Sequence, residues 1–393
     1  MGKVMGKMRR ALGLMSGTSM DGIDVALIET DGETLGKRGP AMRFPYPEEM
    51  RARLKAGLVE ARSLRSRFER SEGLVALEIE LTELNASAVD AFRRKHEISR
   101  ADIDVIGYHG QTVLHVPPAV HVETTPEGVP YEIREPGFTV QLGDGRRLAE
   151  LTALPVVYDL RADDMDAGGQ GAPLVPVYHR ALAAGLPERP VAIVNIGGIA
   201  NVTYIGEDGE LVAFDTGPGN ALIDDWMSRR TGRPLDEDGA TAARGQVNED
   251  VVRFFLSHSY FGMLPPKSLD RSAFIPDTVE WMSLEDGAAT LTAFTAGGIG
   301  RAREHMKDEP ALWVIAGGGR RNATLMRMIA ERVERAVVPA EAVGFAGDSL
   351  EAEAWGFLAV RSLERLPITF PGTTGVSEPL TGGVLVKAPA LDG

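Results

Sequence analysis

The sequence predicts an α/β protein of two domains built on one repeated plan. Three observations carry that expectation. A chain of 393 residues exceeds the size at which a single core usually splits. Short apolar runs of strand character end repeatedly in Gly and alternate with segments of helical spacing. The order of those elements in the first half then recurs in the second, a structural duplication without sequence identity.

The first element is the stretch from Ala11 to Glu29. Leu12, Leu14, Val25, Leu27 and Ile28 suit half-buried strands, while Gly17 and Gly22 supply the backbone freedom of a hairpin turn between them. Residues 48–96 carry apolar side chains at three- and four-residue spacings and predict helix, with Arg and Lys on a solvated face. Ile103 to Val113 reads as a buried strand running into Gly107, His109 and Gly110. After a Pro-rich loop, Gln141 to Leu151 reads as a turn and helix start, and Pro155 to Leu160 as another short buried strand.

In the second half, two strands flank Gly197 and Gly198, and a turn at Glu207 to Gly209 leads to a third strand ending in Asp215, Thr216 and Gly217, then a helix. Ala289 to Met306 is predicted helical, Leu312 to Ala316 a strand entering Gly317–Gly319, and Arg321 to Val333 a helix. A short strand, a turn at Gly347 and Asp348 and a long helix close the pattern. A helix ending in Gly185 before Pro-rich chain places the boundary near Gly185 to Pro190. The expected domains are residues 1–187 and 188–365, with the tail 366–393 returning to the first. Domains of this kind turn their Gly-rich strand ends toward a shared cleft, where a ligand would sit.

Composition narrows the function classes. A net charge of −14 argues against a nucleic-acid or anionic-membrane surface, so an anionic ligand would be met locally by Gly loops, Arg or metal. The absence of Cys excludes disulfides, thiolate catalysis and Cys-built zinc sites. The basic N-terminus precedes an apolar run interrupted at Ser16 and Gly17, too short for a signal peptide, and no transmembrane span is read. A cytoplasmic protein is expected.

Four Gly-rich stretches carry candidate chemistry. In the first hairpin turn, Ser16, Thr18 and Ser19 offer hydroxyls, Gly17 and Gly22 let main-chain N–H groups approach an anion, and Asp21 could hold a water of bound Mg²⁺. This suits a phosphate-binding hairpin rather than a Walker A loop, although a plain turn uses the same residue types. The densest constellation is Asp163, Asp164 and Asp166 before Gly168–Gly169–Gln170–Gly171, with Pro173 expected in the first turn of a helix from Leu174 to Ala183. A carboxylate beside such an anion seat could take a proton from an attacking hydroxyl or water; the alternative is an acidic helix cap. The counterpart, Asp215 to Asn220 with Gly217 and Gly219, could cradle the terminal phosphates, and Gly317, Gly318 and Gly319 suit close approach to an adenosine, or a simple strand-to-helix turn. His109 is a candidate substrate contact, against the commoner structural role of a lone His. His115, His121, His179, His258 and His305 show no metal-ligand spacing, and no metal ligand is assigned.

These motifs together resemble the anhydro-N-acetylmuramic acid kinase family. The carriers, in order, are GLMSGTSMDGID from Gly13, IGYHGQTVLH from Ile106, QLGDG from Gln141, the run from Val156 to Pro176, NIGGIANVTYI from Asn195, AFDTGPGN from Ala213 and IAGGGRRN from Ile315. The resemblance implies the fold of the actin, hexokinase and heat-shock-chaperone ATPases, two duplicated ribonuclease-H-like domains with an interdomain cleft. It implies ATP-dependent, ring-opening phosphorylation of 1,6-anhydro-N-acetylmuramic acid to N-acetylmuramic acid 6-phosphate in peptidoglycan recycling, with Mg²⁺ on the nucleotide. The family's catalytic Asp falls on Asp164, and its ATP phosphate loop on Ser16, Gly17, Thr18, Ser19, Met20, Asp21, Gly22 and Ile23. Glu351 falls on the acidic sugar-contact position, and His109 and Gln111 lie in the HGQT string as substrate-side residues. A homodimer is expected from the family alone. The tail after Phe370 departs from the usual family ending.

Overall fold

The computed structural model describes residues 6–17, 19–125, 129–269 and 273–389. The chain divides into two compact units, one discontinuous (residues 1–181 with 349–393) and one contiguous (182–348).

The first unit opens with the antiparallel strands β1 (Arg9–Ser16), β2 (Gly22–Thr30) and β3 (Leu35–Pro45). Helices α1 (Glu48–Ala61) and α2 (Glu72–Lys95) follow, with Ser71 capping α2 through Leu74 N. Strand β4 (Val105–Val116) is parallel to β1, and β8 (Val156–Tyr158) is parallel to β4. Between them come the hairpin β5 (Ala119–Thr124) and β6 (Pro130–Glu135), strand β7 (Phe138–Leu142) and helix α3 (Gly145–Thr152). A short helix α4 (Ala162–Asp166) and α5 (Pro176–Ala183) lead out of the unit.

The second unit repeats the opening. Strands β9 (Val191–Ile196), β10 (Ile199–Ile205) and β11 (Leu211–Pro218) are antiparallel neighbours, and helices α6 (Ala221–Thr231), α7 (Glu249–Leu256) and α8 (Leu284–Arg301) follow. Strand β12 (Leu312–Ala316) is parallel to β9, helix α9 (Ala323–Val333) follows it, and β13 (Ala336–Pro339) is parallel to β12. The chain then returns to the first unit with α10 (Leu350–Leu363), α11 (Pro371–Thr374) and β14 (Val384–Val386), which pairs antiparallel with β8.

Stripped of additions, the first sheet runs β8-β4-β1-β2-β3 and the second β13-β12-β9-β10-β11. These are the same order: two outer antiparallel strands, a central first strand, and two parallel strands on its other side. That repeated α/β plan is the duplicated ribonuclease-H-like fold expected from the sequence. β7 and β14 enlarge the first sheet to seven strands.

Three features depart from the expected elements. The helical stretch 48–96 is two helices, because Arg62 to Arg70 breaks the spacing and Ser71 starts a new cap. The region after Val113 holds the rest of β4 and the hairpin of β5 with β6 where a loop was expected. The long helix assigned to the second domain packs instead on β1, β2 and β4 of the first sheet. From Leu350 to Arg361 every residue of α10 except Glu351 is buried, and a helix apolar on all sides requires cover on all sides. Its approach is close: a Cβ on Gly13 would lie 1.7 Å from the Ala352 carbonyl oxygen, and one on Gly107 2.0 Å from that of Trp355. Glu353, buried on the same helix, is held by the Arg38 guanidinium (3.0 Å), the Tyr178 hydroxyl (2.5 Å) and the Ser349 hydroxyl (2.9 Å), the full pairing that a buried carboxylate needs.

Candidate functional site

The turn between β1 and β2 holds the predicted phosphate hairpin. Ser16 is buried, donating to Gln111 Oε1 (2.6 Å) and paired with the Tyr46 hydroxyl (2.9 Å), while Gln111 Nε2 donates to Gly17 O (3.2 Å). Ser16 and Gln111 therefore brace the turn. Burial pushes the Tyr46 phenol up to about 12, so it stays a neutral hydroxyl. Met20, with φ of 52°, closes the turn by donating its N–H to Gly17 O (3.1 Å). Ser19 Oγ donates to Asp21 Oδ1 (2.8 Å), and Arg43 bridges Asp21 (3.3 Å) and Asp24 (2.7 Å) at the solvent side. Gly22 and Ile23 already belong to β2, with Ile23 in the core. Thr18 lies outside the described residues.

Asp164 sits on α4 and is 1% exposed. Its two oxygens point in different directions: Oδ2 accepts the Gly171 N–H (2.7 Å) and Oδ1 accepts the Thr374 hydroxyl (2.6 Å). The Gly168–Gly171 loop folds around that carboxylate. A Cβ at Gly169 would stand 2.3 Å from Asp164 Oδ2, and Gln170 N donates to Thr374 O (2.7 Å). Asp163 accepts Gly383 N (3.0 Å) and is exposed, as is Asp166, so among the three acids only Asp164 is enclosed. The helix expected from Leu174 begins at Pro176, and Pro173 follows a cis peptide in the loop before it. The three acids have a short helix of their own instead of capping the next one.

Arg161 lies between the carboxylate and β4. Its Nη1 donates to Gly171 O (2.8 Å), its Nη2 to His109 Nε2 (3.2 Å), and its guanidinium stands 5.3 Å over the Trp355 ring. Burial lowers Arg161 to about 10, and the charges of Glu351 and Asp164 oppose that shift. His109 offers Nδ1–H to the Gly110 (2.8 Å) and Ser16 (3.1 Å) carbonyls, which can only accept, so Nε2 is the lone pair facing Arg161. Burial and the Arg161 charge lower His109 to about 3 and keep it neutral. Both ring nitrogens are thus engaged inside the protein. Glu351 is the exposed position at the first turn of α10. Asp164, Arg161 and Glu351 form one charged group in the first unit.

In the second unit the Gly-rich strand ends converge. The Gly219 N–H donates to Gly198 O (2.9 Å), Asn220 N–H to Gly197 O (2.8 Å) and Asn220 Nδ2 to Ile196 O (3.2 Å). Gly317 has φ of 71° and a Cβ there would meet Asn195 Oδ1 at 2.4 Å, while Gly318 and Gly319 lie beside the Asn220 amide. Gly217, at φ of 143°, takes a conformation that favours glycine. Asp215 accepts Leu269 N–H (2.8 Å), and burial raises it to about 6. Among the described residues no group of three or more His, Asp or Glu is placed to hold a metal ion.

The family model for anhydro-N-acetylmuramic acid kinase matches residues 9–388. The chain belongs to the anhydro-N-acetylmuramic acid kinase family. It is 52% identical over 384 residues to the anhydro-N-acetylmuramic acid kinase of Azorhizobium caulinodans, covering 96% of this chain and 99% of that one. It is 47% identical over 390 residues to that of Agrobacterium fabrum, covering 98% and 100%. Among solved structures, a ROK family glucokinase from Streptomyces griseus in complex with glucose and AMPPNP is 12% identical, covering 89% of this chain and 98% of that chain at a TM-score of 0.40. The chain is therefore a kinase of this family, and membership supports ATP as its phosphoryl donor.

Two residues of the Asp164 group were not singled out in the sequence. Arg161 lies three residues before Asp164, and its paired burial gives no local signal. Thr374 lies 210 residues away in the divergent tail, and nothing in its local sequence marks the contact. Among the described residues no helix is long and apolar enough to cross a membrane.

Proposed function

We propose that this kinase converts 1,6-anhydro-N-acetylmuramic acid, ATP and water to N-acetylmuramic acid 6-phosphate and ADP, as part of peptidoglycan recycling in the cytoplasm. The observation that carries the reading is the family match from residue 9 to residue 388; the enclosed carboxylate of Asp164 supports its assignment as the base. In this reading Asp164 takes a proton from a water as that water attacks the anomeric carbon. The bond from that carbon to the sixth-position oxygen breaks, its electron pair stays on the oxygen, and the oxygen attacks the γ-phosphorus as the bond to ADP breaks.

The remaining residues bind and orient. Glu351 meets the sugar hydroxyls, and Arg161 fixes the Gly171 turn against Asp164 while His109 and Gln111 act from behind, on Arg161 and on the phosphate hairpin. In the first unit main-chain groups of Gly17, Ser19, Met20 and Asp21 bind phosphate groups of ATP; in the second, Asp215, Gly217, Gly219 and Asn220 contact the nucleotide, with Gly317 to Gly319 toward the adenosine. Single exposed or half-buried carboxylates such as Asp21 and Asp215, without an all-protein cage, suit Mg²⁺ that arrives on ATP with its waters. Bound there, Mg²⁺ would neutralise phosphate charge. The working form in this reading is a homodimer.

ADP release with 1,6-anhydro-N-acetylmuramic acid tests the proposal, using the intact chain and Asp164→Asn. Asn at this position can still accept from Gly171 N–H and donate to Thr374, so the fold is expected to persist. The variant's turnover is expected to fall by about 10² to 10⁴. Equal turnover would remove Asp164 from the base role, and no release by the intact chain would refute the substrate.

A further inference from the structure

Strand β12 runs into three glycines followed by two arginines, and the proposed reaction gives the first of these, Arg320, no task. The chain makes a single 3₁₀ turn from Gly318 to Arg321 before α9 begins. Glycine loses more backbone freedom on ordering than any other residue, so a Gly-rich turn keeps one shape only through bonds to its surroundings.

The Arg320 side chain folds back over this turn and is only 6% exposed. Its Nη1 donates to Gly317 O at 2.8 Å, while the turn's own bond to that oxygen, from Arg320 N–H, is 3.4 Å long. The side chain therefore supplies the tighter hold. The peptide between Gly317 and Gly318 is a rigid trans plane whose N–H points opposite its carbonyl. A guanidinium that fixes the carbonyl thereby fixes the direction in which Gly318, an exposed residue, presents its N–H.

The guanidinium is itself held from its other side. Nε donates to Glu341 Oε1 (2.9 Å), and Nη2 lies 2.8 Å from Glu341 and 3.0 Å from Asp348. Both acids come from the chain between β13 and α10. Gly347 leaves the room for this approach, since a Cβ there would stand 2.5 Å from Arg320 Nε. Arg321 holds Asp348 in turn, through bonds of 2.9 and 2.8 Å. The bond from Arg320 keeps the Glu341 carboxyl below the usual carboxylate range, so the pair stays charged at neutral pH. Exposed acids such as these add little stability as isolated pairs. Converging on one enclosed, planar guanidinium, they set its orientation instead.

We propose that Arg320 is a positioning residue for nucleotide binding: locked by Glu341 and Asp348, its guanidinium holds the Gly317 carbonyl and so the shape of the turn that meets the adenosine. The inference rests on the reading that Gly317 to Gly319 lie toward the adenosine.

Titration calorimetry with ADP tests it, together with steady-state kinetics, on the unsubstituted chain, Arg320→Gln, Asp348→Asn, the double variant and Gly318→Ala. In Arg320→Gln the Kd for ADP and the KM for ATP are expected to rise about tenfold, as for the loss of one charge-assisted bond, with kcat and the KM for the sugar substrate unchanged. Asp348 is exposed, so Asp348→Asn leaves the core intact. It should raise the Kd for ADP about threefold by itself and not at all once Arg320 is Gln, as for two groups acting through one another. Equal rises in both backgrounds would overturn the proposal. So would a fall in kcat with ADP affinity kept, which would make Arg320 a general brace of the fold. Gly318→Ala adds a methyl whose nearest neighbour, Asn220 Nδ2, would lie 3.6 Å away, an ordinary contact that leaves the turn its shape. ADP binding weakened in Gly318→Ala but kept in Arg320→Gln would overturn the role of Arg320 alone. ADP binding unchanged in Gly318→Ala would take the adenosine away from this turn, and the proposal with it.

Discussion

Thr374 and Asp215 show how single side chains tune the two units. Thr374 donates to Asp164 Oδ1 at 2.6 Å with both groups buried. Thr374→Val keeps the shape and removes the donor, leaving a buried carboxylate oxygen short of a bond. The expected loss is about 1 to 3 kcal/mol, read as a lower melting temperature, together with reduced turnover; unchanged values for both would show that the bond carries no weight. Asp215 behaves in the opposite sense. Burial raises its folded-state value to about 6, so the folded chain holds this proton more tightly than the unfolded one, and ionising it costs stability as pH rises from about 4 through 6. Asp215→Asn keeps an acceptor for Leu269 N–H and removes that cost. The variant should gain about 3 kcal/mol near pH 8 and nothing below about pH 4, while binding nucleotide more weakly. A gain equal at both ends of a melting series in pH would contradict the assigned cause.

At the scale of elements, the contact between α10 and the first sheet depends on the absence of side chains. Gly13 on β1 and Gly107 on β4 let the helix backbone approach so closely that a single methyl would occupy the Ala352 or Trp355 carbonyl. Gly13→Ala is expected to cost about 3 kcal/mol or more, by forcing helix and strand apart. Denaturant unfolding reads that cost, and a loss under about 0.5 kcal/mol, the size of an ordinary surface change, would show that α10 yields easily. Much of this level was legible in the sequence. The β1–β2 hairpin, the Gly-terminated strands and the repeated order follow from local spacing and turn chemistry. Asp164 could be picked from its neighbours Asp163 and Asp166 only through the family string, since burial separates the three and burial is a tertiary property. Thr374 stayed hidden because its partner lies 210 residues away, and Arg161 because its burial against His109 and Trp355 is set by contacts distant in the chain. The hydroxyl of Ser16 and the ring of His109 read as free groups in sequence, yet packing turns both inward.

The whole molecule owes its organisation to a chain that leaves the first unit at Ala181, completes the second from Leu182 to Asp348, and returns. Sequence order alone assigned α10 to the second half, because the repeated plan ends there in both halves; only its burial from Leu350 to Arg361, Glu351 excepted, and its packing on β1, β2 and β4 show where it belongs. This connectivity makes the two units unequal as folding units. Residues 182–348 carry clusters of their own, one around Val194, Trp313 and Ile329 and another around Trp226, Phe255 and Phe294. That fragment is expected to fold alone with a cooperative thermal transition. Residues 1–181 alone would leave the face of β1, β2 and β4 without its helix, and Asp164 without Thr374, so no cooperative transition is expected. Joining 349–393 to 1–181 through a short flexible linker should restore one. A cooperative transition in 1–181 by itself would show that α10 is an addition to a finished core; its appearance only in the joined chain would show that the last segment completes both the fold of the first unit and the enclosure of its central carboxylate.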